Sequence, residues 1–98
     1  MTTRTEQDFA DRGVQIGSVF LMQPAVAIEF VKHCRSKGIK VFGVEGFLRV
    51  DGRIQPHQEH SCDCEAADDS GYEFTIGFLS KRIETEFWFE VVTDEPVE

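Results

Sequence analysis

The spacing between hydrophobic residues differs from one segment of the chain to the next, and the first clear pattern along the sequence is that of a helix. Over residues 24–37 the apolar side chains fall three and four positions apart, which is the spacing of one helix face. Pro24 suits the first helical position, and Gly38 suits the position just beyond the last turn. The pattern predicts a helix whose buried face consists of Ala27, Phe30, Val31 and Cys34.

Alternation with a period of two predicts strands on both sides of this helix. A short first strand is expected near residues 18–22, a longer one over 39–50, and a last one over 86–93. In the last strand, Trp88 and Val92 should share one face. The other face is expected to carry Phe87, Phe89 and Val91.

Glycine and proline predict the irregularities of the central strands. Asp51 and Gly52 form a dipeptide typical of a tight hairpin, so the chain should return as another strand. Pro56 should end that return strand or hold it at a sheet edge. Gly43 and Gly46 predict a bulge or bend in the preceding strand.

Residues 71–83 fit two patterns. An alternating strand would place on one face Tyr72, Phe74, Ile76 and Phe78. A helical stripe would consist of Tyr72, Ile76, Leu79 and Ile83. Ser70 and Glu73 have the spacing of a capping box, and these end signals favour the helix, although Gly77 weakens it.

The predicted element order is β-α-β-β-(β)-α-β, which indicates a small α+β sandwich with two helices packed on a mainly antiparallel sheet. The length of 98 residues is that of a single domain. Residues 1–12 are polar and are expected to form a flexible N-terminus. The α+β domain should therefore cover residues 13–98.

The net charge of −8 is concentrated in the second part of the chain. Residues 1–40 contain six basic and four acidic residues, whereas residues 41–98 contain four basic and fourteen acidic ones. Residues 59–73, here called the acidic segment, contain no Lys or Arg. We expect such a surface to repel nucleic acid and attract a basic protein, although acidity that serves solubility alone is the other interpretation. The acids of this segment are Glu59, Asp63, Glu65, Asp68, Asp69 and Glu73.

Features of membrane insertion or secretion are not apparent in the sequence. No apolar run approaches the ~18 residues of a membrane helix, and the polar start has no apolar core of a secretory signal. The three cysteines do not form a disulfide framework. We therefore expect a cytoplasmic protein with reduced thiols and no membrane partner.

One short segment has the composition of a metal site. Histidine and cysteine are the ligands that zinc prefers, and four of them lie within eight residues: His57, His60, Cys62 and Cys64. In an extended chain the last three would point to one face. The alternative is that both cysteines are small core-facing residues of a strand and both histidines lie in a loop. Structural zinc sites usually combine two separated ligand pairs, so no cofactor is expected, and a zinc or redox-sensing module remains the alternative.

Signals of catalysis are weak, whereas signals of binding are stronger. The sequence contains no phosphate-binding glycine loop and no recognisable oxyanion hole, so we expect that the protein is not an enzyme. If residues 71–83 are helical, Phe74 and Phe78 lie opposite the apolar stripe. Exposed aromatics beside acids predict a protein-binding surface, and a homodimer interface would also explain them.

Five short stretches, "AIEFVKHCRSKG", "IKVFGVEGF", "IQP", "EHS" and "FWFEVV", together resemble small bacterial proteins of the immunity type, which accompany polymorphic toxins. The resemblance covers about residues 25–92 and implies a small acidic cytosolic protein that binds and blocks one toxin domain. Many such toxins are basic nucleases. We therefore expect an immunity or inhibitor protein whose contacts to a basic partner are Glu59, Asp63, Glu65, Asp68, Asp69, Phe74, Phe78 and Trp88.

Overall fold

The computed structural model describes residues 3–66 and 68–96, with only the backbone of residues 64–66. It confirms a small α+β domain. In chain order the elements are α1 (Arg4–Asp8), a 3-10 turn (Ala10–Arg12), β1 (Val14–Ile16), β2 (Val19–Leu21), α2 (Pro24–Lys37), β3 (Val41–Val50), β4 (Arg53–Ala66), α3 (Asp69–Ser80) and β5 (Trp88–Thr93). The described part of the chain thus contains three α-helices, one more than the sequence predicts.

The strands form an antiparallel three-stranded sheet in the order β4-β3-β5 and a separate hairpin of β1 and β2. Two hydrogen bonds join the hairpin to the sheet: the Met22 N–H donates to the Phe89 carbonyl over 2.9 Å, and the Phe89 N–H donates to the Met22 carbonyl over 2.7 Å. The hairpin therefore extends the β5 edge, and the strand expected near residues 18–22 is confirmed.

Helix α2 has the ends and the buried face that its sequence predicts. Pro24 occupies the first turn, and Gly38 closes the helix with a left-handed φ of 71°. Phe30 is only 1% exposed. All four predicted face residues belong to the hydrophobic core, together with Phe89 and Val91 of β5. The helix is thus fixed by local signals that agree with its packing.

The β3–β4 hairpin confirms its turn, and of the two expected roles of Pro56 it confirms the position at a sheet edge. Asp51 and Gly52 have φ values of 51° and 78°, as a type I′ turn requires. β4 continues through Pro56, which lies opposite Phe47, so Pro56 does not end the strand. Within the described residues β4 pairs with β3 alone, and on this edge strand the missing N–H of Pro56 costs no ladder hydrogen bond.

Residues 3–12 form a short helix and a 3-10 turn that their polarity does not predict. α1 begins with a capping box between Thr3 and Glu6. Its Thr5 hydroxyl donates to the Glu95 carboxylate over 2.9 Å, and the Phe9 ring packs edge-on against Phe30 with centroids 5.1 Å apart. These partners lie far along the chain, so local polarity does not reveal them.

Residues 69–80 form helix α3, so the helical alternative is confirmed and the strand alternative is wrong. The predicted capping residue is also wrong: Asp68 is the N-cap, and its side chain accepts a hydrogen bond from the Gly71 N–H over 2.9 Å. Tyr72 and Leu79 are buried as predicted. Ile83 lies beyond the helix and is exposed.

Candidate protein-binding surface

The acidic segment lies where β4 leads into α3. Asp63 is exposed on β4, and Asp69 is exposed in the first turn of α3. Glu73 follows one turn later and remains exposed, although its carboxylate is paired with the Arg35 guanidinium at 2.9 Å. The side chain of Glu65 lies outside the described residues. The described acids thus form a negatively charged region that continues from the edge strand onto the helix.

Two further acids of this segment have structural partners. Asp68 caps α3 and also accepts a hydrogen bond from the Ser70 hydroxyl at 3.3 Å. Glu59 accepts a hydrogen bond from its own backbone N–H and lies 3.3 Å from Nδ1 of His57, and both interactions hold the pKa of Glu59 below its ordinary value. Both carboxylates are exposed, so they contribute to the field of the surface as well as to the fold.

The predicted aromatic contacts are divided between two sides of the molecule. Phe74 lies on the outer face of α3 with 59% of its surface exposed. Phe78, one turn later, is half-buried: it packs against the hydrophobic core, and its ring is also covered by the Arg82 guanidinium at 3.7 Å. Trp88 alternates with the buried Phe89 and therefore points to the sheet face opposite the core. The structure thus brings Phe74 and Phe78 together beside the acids and separates Trp88 from them.

The His/Cys segment forms a large bulge in β4. Val44 is opposite Cys62 and Gly46 is opposite His57, so residues 58–61 face a single residue of β3. Ser61 closes the bulge: its hydroxyl donates to the His57 carbonyl over 3.0 Å and accepts from the Gly46 N–H over 3.1 Å. A Cβ on Gly46 would lie 2.5 Å from the His60 carbonyl oxygen, so the close approach of the bulge to β3 at this position requires glycine.

Both histidines of the bulge pack on Phe87 rather than on each other. The His60 ring stacks on Phe87 with centroids 4.0 Å apart, and the His57 ring meets it edge-on at 5.0 Å. Nε of Arg82 donates to Nδ1 of His60 over 3.2 Å, and the same guanidinium donates to the carbonyls of Phe78 and Glu59. Arg82 therefore fastens the bulge to the end of α3, a role that its position in the sequence does not indicate.

The described residues do not gather into the zinc site of the alternative interpretation. Cys62 packs against the hydrophobic core, as the core-facing alternative predicts. That alternative also places His57 and His60 in a loop, which is wrong, because both lie within β4 over Phe87. Among the described side chains, no three His, Cys, Asp or Glu residues lie close enough together to hold a metal ion. The side chain of Cys64, the fourth residue of that site, lies outside the described residues.

An acidic pair on the sheet was not predicted as a feature. Glu45 of β3 and Glu90 of β5 are direct cross-strand neighbours. Burial, followed by repulsion from Glu45 and then Glu6, raises the pKa of Glu90 to about 7. The sequence shows each glutamate within a strand, but their opposition depends on the strand register.

None of the helices in the described ranges is long and apolar enough to cross a membrane. Comparison with known families finds no family model that matches the chain, and no curated protein matches it either. The surface is therefore interpreted from its own geometry and charge.

Proposed function

We propose that this protein is a non-enzymatic binding module of the immunity type, which neutralises a basic toxin domain by covering it. The observation that carries the proposal is the exposed ring of Phe74 beside the acidic segment. An apolar anchor next to a charged rim is the arrangement that protein interfaces use for affinity and for partner choice.

The acids and the aromatic ring have different tasks in this interface. Asp63, Asp69 and Glu59 attract a basic surface from a distance, which raises the association rate. Phe74 is buried on contact and slows dissociation, because buried aromatic residues contribute most of the affinity in many interfaces. Phe78 is already packed against the core and under Arg82, so less of its ring is open to a partner than that of Phe74.

The chemistry of the buried thiol agrees with a role other than catalysis. Cys34 is fully buried in α2, and burial raises the pKa of its thiol to about 12. A thiol that stays protonated at neutral pH is a poor nucleophile. Its neighbour in sequence, His33, packs on the ring of Phe9 with centroids 5.7 Å apart.

The test is protection of cells against a basic toxin domain. Toxin-like proteins encoded beside the gene for this chain would be produced in a sensitive bacterial host, with and without this protein. We expect the wild type to restore growth and to form a complex with the purified domain, and Phe74→Ala to weaken both. Phe42→Ala, on β3, is the matched control because Phe42 is also exposed. Failure of every encoded domain to bind, or equal losses for both variants, contradicts the proposal.

A further inference from the structure

Helix α3 carries a shallow groove on its exposed side. Gly77 forms its floor, since a Cβ added there would meet nothing within 4 Å. Phe74 forms one wall and exposes 59% of its surface. The groove is lined by Glu73, Phe74, Gly77, Phe78, Lys81 and Arg82.

Two charges of this groove, those of Glu73 and Lys81, are arranged symmetrically about Gly77. Glu73 precedes it by four residues and Lys81 follows it by four. At a rise of about 1.5 Å per residue, each charge lies ~6 Å from Gly77 along the helix axis, in opposite directions. A second α3 that crosses antiparallel at Gly77 would therefore place its Lys81 beside Glu73, and its Glu73 beside Lys81.

The geometry points to a homodimer in which two copies of α3 pack antiparallel about a two-fold axis at Gly77. A two-fold interface must be complementary to itself, and the Glu73–Gly77–Lys81 row has that property. The row follows the i, i+4 ridge through which helices commonly interlock. The missing side chain of Gly77 lets the two helices approach closely at the crossing point.

Neighbouring side chains fit this arrangement. Oε1 of Glu73 accepts a hydrogen bond from Arg35, which leaves the second carboxylate oxygen of Glu73 for Lys81 of the second copy. Phe74 would cover the aliphatic stem of that lysine. A single helix face buries less than the ~800 Å² per partner of a standard interface. The dimer is therefore weak and depends on concentration.

The decisive experiment uses charge reversal and measures mass by sedimentation equilibrium. Wild-type protein is examined from about 10 µM to about 1 mM, where weak dimers form, at ~0.15 M salt, which screens the repulsion between acidic copies. Glu73→Lys and Lys81→Glu should each raise the dissociation constant at least about tenfold, because like charges would meet twice per dimer. An equimolar mixture of the two variants should restore dimers, since each lysine then faces a glutamate.

Two further variants separate the dimer from the fold. Gly77→Leu fills the groove, and its side chain favours a helix more than glycine does, so it should stay folded by circular dichroism yet lose the dimer. Arg35→Gln removes the ion pair within one chain and should leave the dimer intact. A monomeric wild type at the highest concentration, or a mixture that fails to restore dimers, overturns the proposal. No toxin domain is present in these measurements, so they do not depend on the proposed function.

Discussion

Glu45 and Glu90 face each other directly across β3 and β5, and the pKa of Glu90 is raised to about 7, first by burial and then by Glu45. Like charges in directly opposed positions destabilise a sheet. The folded chain avoids this repulsion by keeping a proton on Glu90 at mildly acidic pH. The pair therefore links folding stability to pH.

The first prediction concerns this pair. Between about pH 4.5 and about pH 7 the folded chain holds a proton that the unfolded chain has lost, so the contribution of Glu90 to the free energy of unfolding falls as pH rises. Glu90→Gln should therefore stabilise the protein at pH 8 by about 1 kcal/mol, after allowance for screening of this half-exposed group. At pH 4 the variant and wild type should be equally stable. Urea denaturation at both pH values measures the difference, and an equal effect at both would contradict the assignment.

The second prediction concerns the glycine under the bulge. A methyl group on Gly46 would collide with the His60 backbone carbonyl, so Gly46→Ala should lower the free energy of unfolding by about 1–3 kcal/mol. Gly77→Ala is the matched control, because Gly77 is open on α3 and alanine favours a helix by about 0.5–1 kcal/mol. Chemical denaturation should thus give effects of opposite sign, and effects of the same sign would show that the close approach is not what requires Gly46.

The third prediction concerns Arg82. Its guanidinium hydrogen-bonds His60, Phe78 and Glu59 at once, a geometry that an ammonium group cannot reproduce. Arg82→Lys should therefore lower the free energy of unfolding by about 1–2 kcal/mol and speed amide hydrogen exchange in residues 57–62. Lys81→Arg, at the exposed neighbouring position, is the control and should change neither. Unchanged exchange in Arg82→Lys would mean that the bulge is held by the Ser61 hydrogen bonds alone.

Features defined by nearby residues could be predicted from the sequence, and features defined by distant partners could not. Helix α2 has its proline, its apolar face and its final glycine within fifteen positions, and all of them were predicted. The Asp51 hairpin is equally local. Gly43 and Gly46 predict an irregularity in β3, and the register of β3 with β4 does shift beside both glycines. The segment of β4 that forms the bulge, and its contact with Arg82, depend on partners 11 or more positions away and were not predicted.

In the candidate surface, too, locally determined features were predicted and features that depend on distant residues were not. The acidity of residues 59–73 and the exposure of Phe74 follow from composition and helical period, and the described residues agree with them. The spacing of Ser70 to Glu73 predicts a capping box, but Asp68 is the N-cap of the helix. The face of Trp88 was predicted by alternation, yet its distance from Phe74 depends on which sheet face the helices cover.

The fourth prediction compares two phenylalanines. Phe30 is 1% exposed in the core and Phe74 is 59% exposed on α3. Phe30→Ala should cost about 3–5 kcal/mol of stability through lost burial and the cavity that remains. Phe74→Ala should change stability by no more than about 0.5 kcal/mol, as surface substitutions usually do. Thermal and chemical denaturation of both variants checks this, and similar losses for the two would show that the outer face of α3 is covered.

The last prediction tests the acidic segment and rests on the proposed function. Four charges are removed while shape is kept by changing Asp63, Asp68 and Asp69 to Asn and Glu65 to Gln. Asparagine is as good an N-cap as aspartate, so the start of α3 should survive, with a loss of at most about 0.3–1 kcal/mol per charge from the helix dipole.

The variant should associate with a basic toxin domain more slowly than wild type at low salt. This difference should shrink as salt rises, because attraction between exposed charges is screened over ~8–10 Å at physiological ionic strength. The dissociation rate should change less, since charges at the rim of an interface act mainly on association.

A matched control removes the same number of charges elsewhere. Asp11 and Asp51 are changed to Asn, and Glu84 and Glu86 to Gln; all four are exposed and lie outside the acidic segment. Both variants have the same net charge, so a general effect of charge would slow both equally in stopped-flow measurements. A larger effect of the first variant assigns the attraction to residues 59–73, because a local field acts most strongly on the surface that approaches it. Equal association rates for wild type and both variants at low salt would mean that the acids serve solubility, and Phe74 with its neighbours on α3 would then be the remaining contact surface.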